Sequence, residues 1–182
     1  MANAIGMIEF KTVSAGIAAA DLMVKTAAVE LLEAQVVCPG KYTALITGQL
    51  SAVQSAVEAA LTQKEEAYID SFILGNPHES IFSAIYGTTR VAAIDALGIL
   101  ETFDAACIIE AADLAAKTAL VELIELRIAK GMCGKSYLTL TGEVAAVEAA
   151  IAKAKAFCAQ KGMYLDSSVI ARPDEQIRRS IL

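Results

Sequence analysis

The sequence contains no tryptophan, and only 5% of its 182 residues are aromatic, so its core cannot be organised around large rings. Alanine supplies much of the 56% hydrophobic content, which favours close-packed short helices instead. A basic stripe is also missing. With a net charge of −6 and no interleaved aromatic platform, the chain lacks the electrostatic footprint of a nucleic-acid binder. No apolar run has the roughly 18 to 20 residues of a spanning helix. The best charge-free stretch, Tyr42 to Val57, is broken by Gly48, Gln49, Ser51, Gln54 and Ser55, which argues against a membrane protein. Met1-Ala2-Asn3 leads into Ala4-Ile5-Gly6-Met7-Ile8-Glu9 without a basic segment and apolar core, so no secretory signal is read and a cytoplasmic location is expected. No CxxC pair occurs among Cys38, Cys107, Cys133 and Cys158, and in a reducing compartment these four do not suggest a disulfide framework. The motifs GxxxxGK[ST], GxGxxG and HExxH are absent as well, which removes the common phosphate-loop and zinc-hydrolase readings.

What the sequence does contain is a duplication. Ala4-Ile5-Gly6-Met7-Ile8-Glu9 matches Ala96-Leu97-Gly98-Ile99-Leu100-Glu101 at an offset of 92 residues, and Ala19-Ala20-Asp21-Leu22 matches Ala111-Ala112-Asp113-Leu114. Lys25-Thr26-Ala27 recurs as Lys117-Thr118-Ala119, and Val29-Glu30-Leu31-Leu32-Glu33 as Val121-Glu122-Leu123-Ile124-Glu125. The offset becomes 94 at Gly40-Lys41 and Gly134-Lys135, then 96 at Tyr68-Ile69-Asp70-Ser71 and Tyr164-Leu165-Asp166-Ser167. The seam falls near Gly87-Thr88-Thr89-Arg90, so two small domains are expected, 1–88 and 89–182.

Each copy reads in the same order. Ala4 to Phe10 suggests a short apolar strand, and Ser14 to Ala28 a helix with Ser14 as its N-cap. Val29 to Val37 and Tyr42 to Thr47 form a hairpin around Pro39-Gly40. A second helix is expected from Ser51 to about Glu66, and a last strand from Tyr68 to Leu74. In the second copy, Val144 to Gln160 is the second helix. Short helical tails follow each Pro turn, over Glu79 to Tyr86 and Asp174 to Leu182. The order β-α-β-β-α-β predicts an α/β fold (an α+β sandwich) in which each copy is a ferredoxin-like unit with an antiparallel sheet.

The two hairpin loops stand out. Cys38-Pro39-Gly40-Lys41 and Met132-Cys133-Gly134-Lys135 occupy the same place in the two copies, and each sets a thiol beside a glycine. Taken alone, an isolated loop cysteine reads as an inert small side chain. Cys107 and Cys158 fall on predicted helices, where buried structural thiols are common. His78, the only histidine, follows Pro77 and reads as a turn or cap residue rather than a catalytic one.

The segments AIGMIEF and ALGILETF, LMVKTA and LAAKTA, the PGK and CGK loops, and the NPH and RPD turns together resemble a tandem bacterial microcompartment (BMC) domain chain, over essentially the whole length. The resemblance implies a homotrimer shaped like a hexagon that tiles with other hexagonal shell proteins into the wall of a metabolic organelle. It also implies a [4Fe-4S] cluster on the three-fold axis, held by Cys38 from each chain, with one cluster per trimer. Such a site would pass single electrons, with an encapsulated redox enzyme as a possible partner. Around the axis Pro39, Gly40, Met132, Cys133 and Gly134 would line the opening; Gly40 would permit close approach, and Lys41 would offset cluster charge. Cys133 is expected as a small residue packed in a longer loop, with a further ligand or redox thiol as the other reading. The resemblance places Lys25 and Lys117 at the tile edge, and Arg172 at its usual arginine partner position, where the first copy has Asn76. An alternative keeps the shell role and makes the central opening a gated pore for metabolites, without a cluster. Catalysis is not expected, because Glu9/Glu101, Asp21/Asp113, Glu30/Glu122 and Glu33/Glu125 recur in both copies as duplicated architecture.

Overall fold

A computed structural model describes residues 4–62 and 65–181. It divides into two compact units, one ending at Pro77 and the other beginning at His78. The first unit runs β1 (Ala4–Phe10), α1 (Val13–Thr26), β2 (Val29–Val37), β3 (Lys41–Gly48), α2 (Leu50–Leu61), a 3-10 turn (Glu65–Ala67) and β4 (Tyr68–Gly75). Its sheet order is β2-β3-β1-β4 with every pairing antiparallel. This is the split arrangement expected of a β-α-β-β-α-β unit.

Period-2 alternation along β1 decides which side the helices cover. Ala4, Ile8 and Phe10, with Ala44 and Ile46 of β3, form one core with Ala15, Ala19, Ala20 and Met23 of α1 and Val53, Ala56, Val57 and Ala60 of α2. Gly6 lies on the same face. A Cβ there would come within 2.6 Å of Val53 Cγ1 and 3.0 Å of Val57 Cγ2, so glycine lets α2 approach the sheet closely. Gly98 is the counterpart in the second unit, where a Cβ would meet Leu140, Ile151 and Val147 carbons at 2.8–2.9 Å.

The second unit comprises α3 (Ser80–Ile85), β5 (Ala96–Thr102), α4 (Ala105–Thr118), β6 (Val121–Arg127), β7 (Ser136–Gly142), α5 (Val144–Gln160), β8 (Tyr164–Ile170) and α6 (Glu175–Ile181). Its sheet order, β6-β7-β5-β8, repeats that of the first unit. The irregularities repeat too: β2 slips register between Leu31 and Glu33, and β6 between Leu123 and Glu125.

Several boundaries differ from the sequence reading. Helix α1 starts at Val13, and its cap is Thr12 rather than Ser14; the Thr12 hydroxyl accepts from Ala15 N at 3.4 Å. Thr12 is the residue with extended backbone at the strand exit, which is the geometry an N-cap needs. Asp104 does the same for α4, accepting from Cys107 N at 3.3 Å. Helix α2 begins at Leu50, after a Gln49 that makes no side-chain cap bond, and stops at Leu61. The expected extension to Glu66 is replaced by the 3-10 turn, tied down by Lys11 N donating to Ala67 O at 2.7 Å; residues 63–64 of that extension, and Leu182 of the last tail, lie outside the described residues. The boundary between compact units precedes the sequence seam at 88/89 because α3 packs with the second sheet. Ile81 and Ala84 are fully buried there, on the side where α3 meets β6 and α4.

The capping assignment gives an expected pair of outcomes. Thr12→Ala should cost about 1 kcal/mol of stability in denaturant melts, whereas Ser14→Ala should stay within about 0.5 kcal/mol of wild type.

Candidate functional site

The first loop is a short, pinned turn. Val37 and Lys41 are register partners across the β2–β3 hairpin, which leaves 38–40 as the connection, and Gly40 N donates to Val37 O at 2.9 Å. Gly40 adopts φ +95 and would meet nothing within 4 Å of a Cβ. Glycine is required here by backbone conformation, and nothing in the chain itself crowds it. The Cys38–Pro39 peptide is cis. Cys38 is half-buried, and Pro39 and Gly40 are exposed.

Lys41, expected to offset cluster charge, is engaged by a carboxylate of its own chain. Its Nζ lies 3.2 Å from Glu9 Oε1, and Glu9 is 4% exposed in the middle of the sheet. A nearly buried carboxylate needs a cation or donors close by, and β3 supplies Lys41 from the adjacent strand. The lysine is thus committed to holding Glu9.

The second loop, 128–135, is longer and bends more sharply. Ala129 (φ 52), Gly131 (70), Cys133 (55) and Gly134 (88) all lie in the left-handed region. Ala129 N donates to Ser136 Oγ at 3.0 Å, and Lys135 N to Met132 O at 3.1 Å. Cys133 is exposed, so within its own chain it is not the packed small residue the sequence suggested. Met132 is half-buried and Gly134 buried.

The remaining thiols are structural. Cys107 of α4 and Cys158 of α5 are 1% and 0% exposed. Hydrogen bonding to Cys158, reinforced by burial, pushes the Cys107 thiol far above its ordinary range, which keeps it protonated and unreactive. No cluster of three or more His, Cys, Asp or Glu residues suited to a metal exists among the described residues.

The edge candidates behave as a repeated pair. Lys25 Nζ meets Asp21 Oδ2 at 2.6 Å, and Lys117 Nζ meets Asp113 Oδ2 at 2.7 Å, both one helical turn apart. Arg172 is exposed, directly before the buried Pro173. Asn76, at the corresponding place, takes φ 52. His78 shapes a turn: its backbone N donates to Asp113 Oδ1 at 2.7 Å, while Nδ1 lies 2.8 Å from Ser80 Oγ. Ser, His and Asp therefore meet here, but Asp113 holds the His78 backbone rather than the imidazole, so the arrangement lacks the relay of a nucleophilic triad.

Two polar constellations escaped the sequence reading. Asp113 as the anchor for His78 was visible only as half of an Asp-x-x-x-Lys repeat. Glu125, Arg127 and Tyr137 form a knot on the second sheet: Arg127 Nη2 donates to Glu125 Oε1 at 2.7 Å, and the Tyr137 hydroxyl donates to Glu125 Oε2. Burial, then this hydrogen bond, pushes the Tyr137 phenol up to about 12. Both oxygens of Glu125 are engaged, so it is no free base. The structural role of Lys41 has a direct check: Lys41→Met should lower stability by about 1–3 kcal/mol by stranding the Glu9 carboxylate, and Glu9→Gln in the same chain should recover part of that loss in chemical melts.

The comparisons with known proteins agree with this geometry. The BMC domain family model matches twice, over residues 4–77 and 96–173. The chain is 36% identical to the bacterial microcompartment shell protein PduT of Citrobacter freundii, over all of this chain and 99% of that protein. It is 28% identical to the carboxysome assembly protein CcmO of Synechococcus elongatus, over 99% of this chain and 69% of that one. A solved structure of a microcompartment protein from Desulfitobacterium hafniense DCB superposes with a TM-score of 0.94 at 46% identity, covering 98% of this chain and 99% of the other. With two units of matching strand order and a family match in each, the chain belongs to the BMC domain family, as a tandem member.

Proposed function

We propose that this chain is a shell protein of a bacterial microcompartment, a homotrimeric facet tile that carries a [4Fe-4S] cluster on its three-fold axis. The observation that carries the shell role is the 36% match to a shell protein over all of this chain and 99% of that protein, in a molecule whose two units repeat one architecture. Other hexagonal shell proteins are its lateral partners, and Lys25, Lys117 and Arg172 are the edge residues. The protein is not an enzyme in this reading, and its place is the shell of an organelle in the cytoplasm. No helix among the described residues is long and apolar enough to cross a membrane.

The residues fit a cluster held across copies. One chain lacks a multi-ligand set among its described residues, so any cluster must draw one thiolate from each of several chains. Cys38 suits that purpose: it is half-buried on a turn fixed by the Val37–Lys41 pairing and a glycine-specific backbone, and such a short scaffold positions a ligand well. Three copies of Cys38 leave the fourth iron to a non-protein or external ligand. When bound, the cluster supplies one-electron transfer between the two sides of the shell. Pro39 and Gly40 set the thiol's direction, and Met132, Cys133 and Gly134 line the same opening. Lys41 stays with Glu9 and contributes no charge to the cluster. An encapsulated redox enzyme is the natural electron partner.

Protein purified without oxygen should be brown, with iron and acid-labile sulfide in equal amounts. Cys38→Ser should abolish the colour and leave the trimer intact, while Cys133→Ser should keep both. Colourless protein that stays apo after anaerobic reconstitution would overturn the cluster and leave a tile whose opening acts as a gated pore for metabolites. For the shell role, co-expression with hexagonal shell proteins should give closed shells or sheets containing this chain by electron microscopy, and persistent exclusion from every such layer would count against it.

A further inference from the structure

The two buried thiols of the second unit meet each other. Cys107 and Cys158 come from different helices, α4 and α5, and the Cys107 thiol donates a hydrogen bond to Cys158 Sγ. Each is the third residue from a helix end, Cys107 from the start of α4 and Cys158 from the finish of α5. The backbone on both sides is fixed. Asp104, the cap of α4, accepts from Cys107 N at 3.3 Å, and Met163 N donates to Cys158 O at 2.9 Å. One helical turn beyond each thiol stand Glu110 and Lys161, whose ion pair joins the two helices beside the sulfurs. Lys161 also lies over the Phe157 ring, 4.8 Å from its centroid. The first copy has no such pair. It carries Ala15 in place of Cys107, and α2 has 12 residues where α5 has 17, so the turn that brings Cys158 is missing there.

We propose that Cys107 and Cys158 are a redox dithiol, which a peroxide closes to a disulfide that clasps the second unit. Reduced, the pair fills the α4–α5 contact, and that is its resting state in a reducing compartment. Cys158 is the nucleophile. The hydrogen bond from Cys107 pushes its thiol below the ordinary range, against the effect of burial, and Cys107 keeps its proton until Cys158 has reacted. Fraying of the last turn of α5 admits the oxidant, since helix ends open at far lower cost than the core. The Cys158 thiolate then attacks one oxygen of hydrogen peroxide and the O–O bond breaks, leaving Cys158 as a sulfenic acid; the released hydroxide takes up a proton to become water. Cys107 sulfur next displaces the sulfenic hydroxyl, which leaves as a second water with the Cys107 proton. Two electrons pass from the sulfurs to the peroxide, and a dithiol reductant reverses the bridge by exchange. The bridge closes a covalent loop around β6, the 128–135 turn and β7, which restricts the unfolded chain and so favours the folded one. The dithiol is independent of any cluster at Cys38.

Peptide mapping of full-length protein tests the clasp. Folded wild type is treated with hydrogen peroxide, its free thiols are blocked in denaturant, and it is digested with trypsin. Cys107 and Cys158 fall in separate tryptic peptides, Val91–Lys117 and Ala156–Lys161, that contain no other cysteine. Most chains should yield these two joined, less two hydrogen atoms, and dithiothreitol should part them. The treated protein should melt about 5–10 °C above untreated protein, while Cys158→Ser treated in the same way should show no rise. With dimedone present, Cys107→Ser should carry the label on Cys158, and Cys158→Ser should leave Cys107 unlabelled. Wild type in which exposed Cys133 is oxidised while Cys107 and Cys158 both stay free thiols would overturn the dithiol. A bridge that forms without raising the melting point would overturn the clasp, and dimedone on Cys107 in Cys158→Ser would overturn the choice of nucleophile.

Discussion

The alternation along β1 and β5 is the constraint on which the rest of the molecule depends. Every second residue of β1 must be small or well shaped enough to meet two helices, hence Ala4, Gly6, Ile8 and Phe10 against Val53, Val57, Ala19 and Met23. Because a strand has period 2, a slip of one residue would turn this set to the opposite face. Register then propagates outward. β1 fixes β3 from Ala4↔Gly48 to Phe10↔Tyr42, β3 fixes β2 as far as Val37↔Lys41, and so the cysteine turn at 38–40 is placed by contacts made far from it. A loop ligand positioned through a sheet register inherits the rigidity of the core.

The same register explains the Glu9–Lys41 pair. Glu9 sits opposite Thr43, and Lys41 lies two residues further along the same face of β3, within reach of a carboxylate that has lost water on almost every side. An ion pair in that position adds little net stability by itself, because desolvation offsets the attraction. Its consequence is commitment: once Glu9 is buried, the lysine next to the candidate ligand has no freedom to serve another charge.

Element order, the hairpin and the duplication were legible in the sequence because they rest on local period and on self-similarity, which need no partner. The details that were missed depend on distant contacts. Ser14 and Thr12 are both competent cap residues, and the choice between them follows from where β1 releases the chain. The allegiance of α3 could not be read from Ile81 and Ile85, since an amphipathic segment does not state which sheet will receive its face. Lys41 looked like a loop charge because Glu9 is far from it in sequence. Cys133 was read as a small residue packed in its longer loop, and its exposure follows from a loop path that the sequence does not specify. The Glu125, Arg127 and Tyr137 knot had no signal in the repeat, where the first copy has Glu33, Gln35 and Thr43.

That divergence between otherwise matching copies bears on why a chain would keep both. A ring of six identical units repeats every loop thiol six times, more than a four-iron cluster can take as ligands. A chain of two unequal units repeats each loop only three times in a trimer, so one loop can be shaped as a ligand turn while the other changes length. The two loops here differ in length and in path: 38–40 is held by a strand pair and one glycine, and 128–135 passes through four left-handed residues. Elsewhere the copies have stayed close, in the sheet order, the bulges and the Asp–Lys turns. The differences in length fall at the hairpin loop and around the second helix, where adding or removing residues leaves the β1 and β5 register undisturbed.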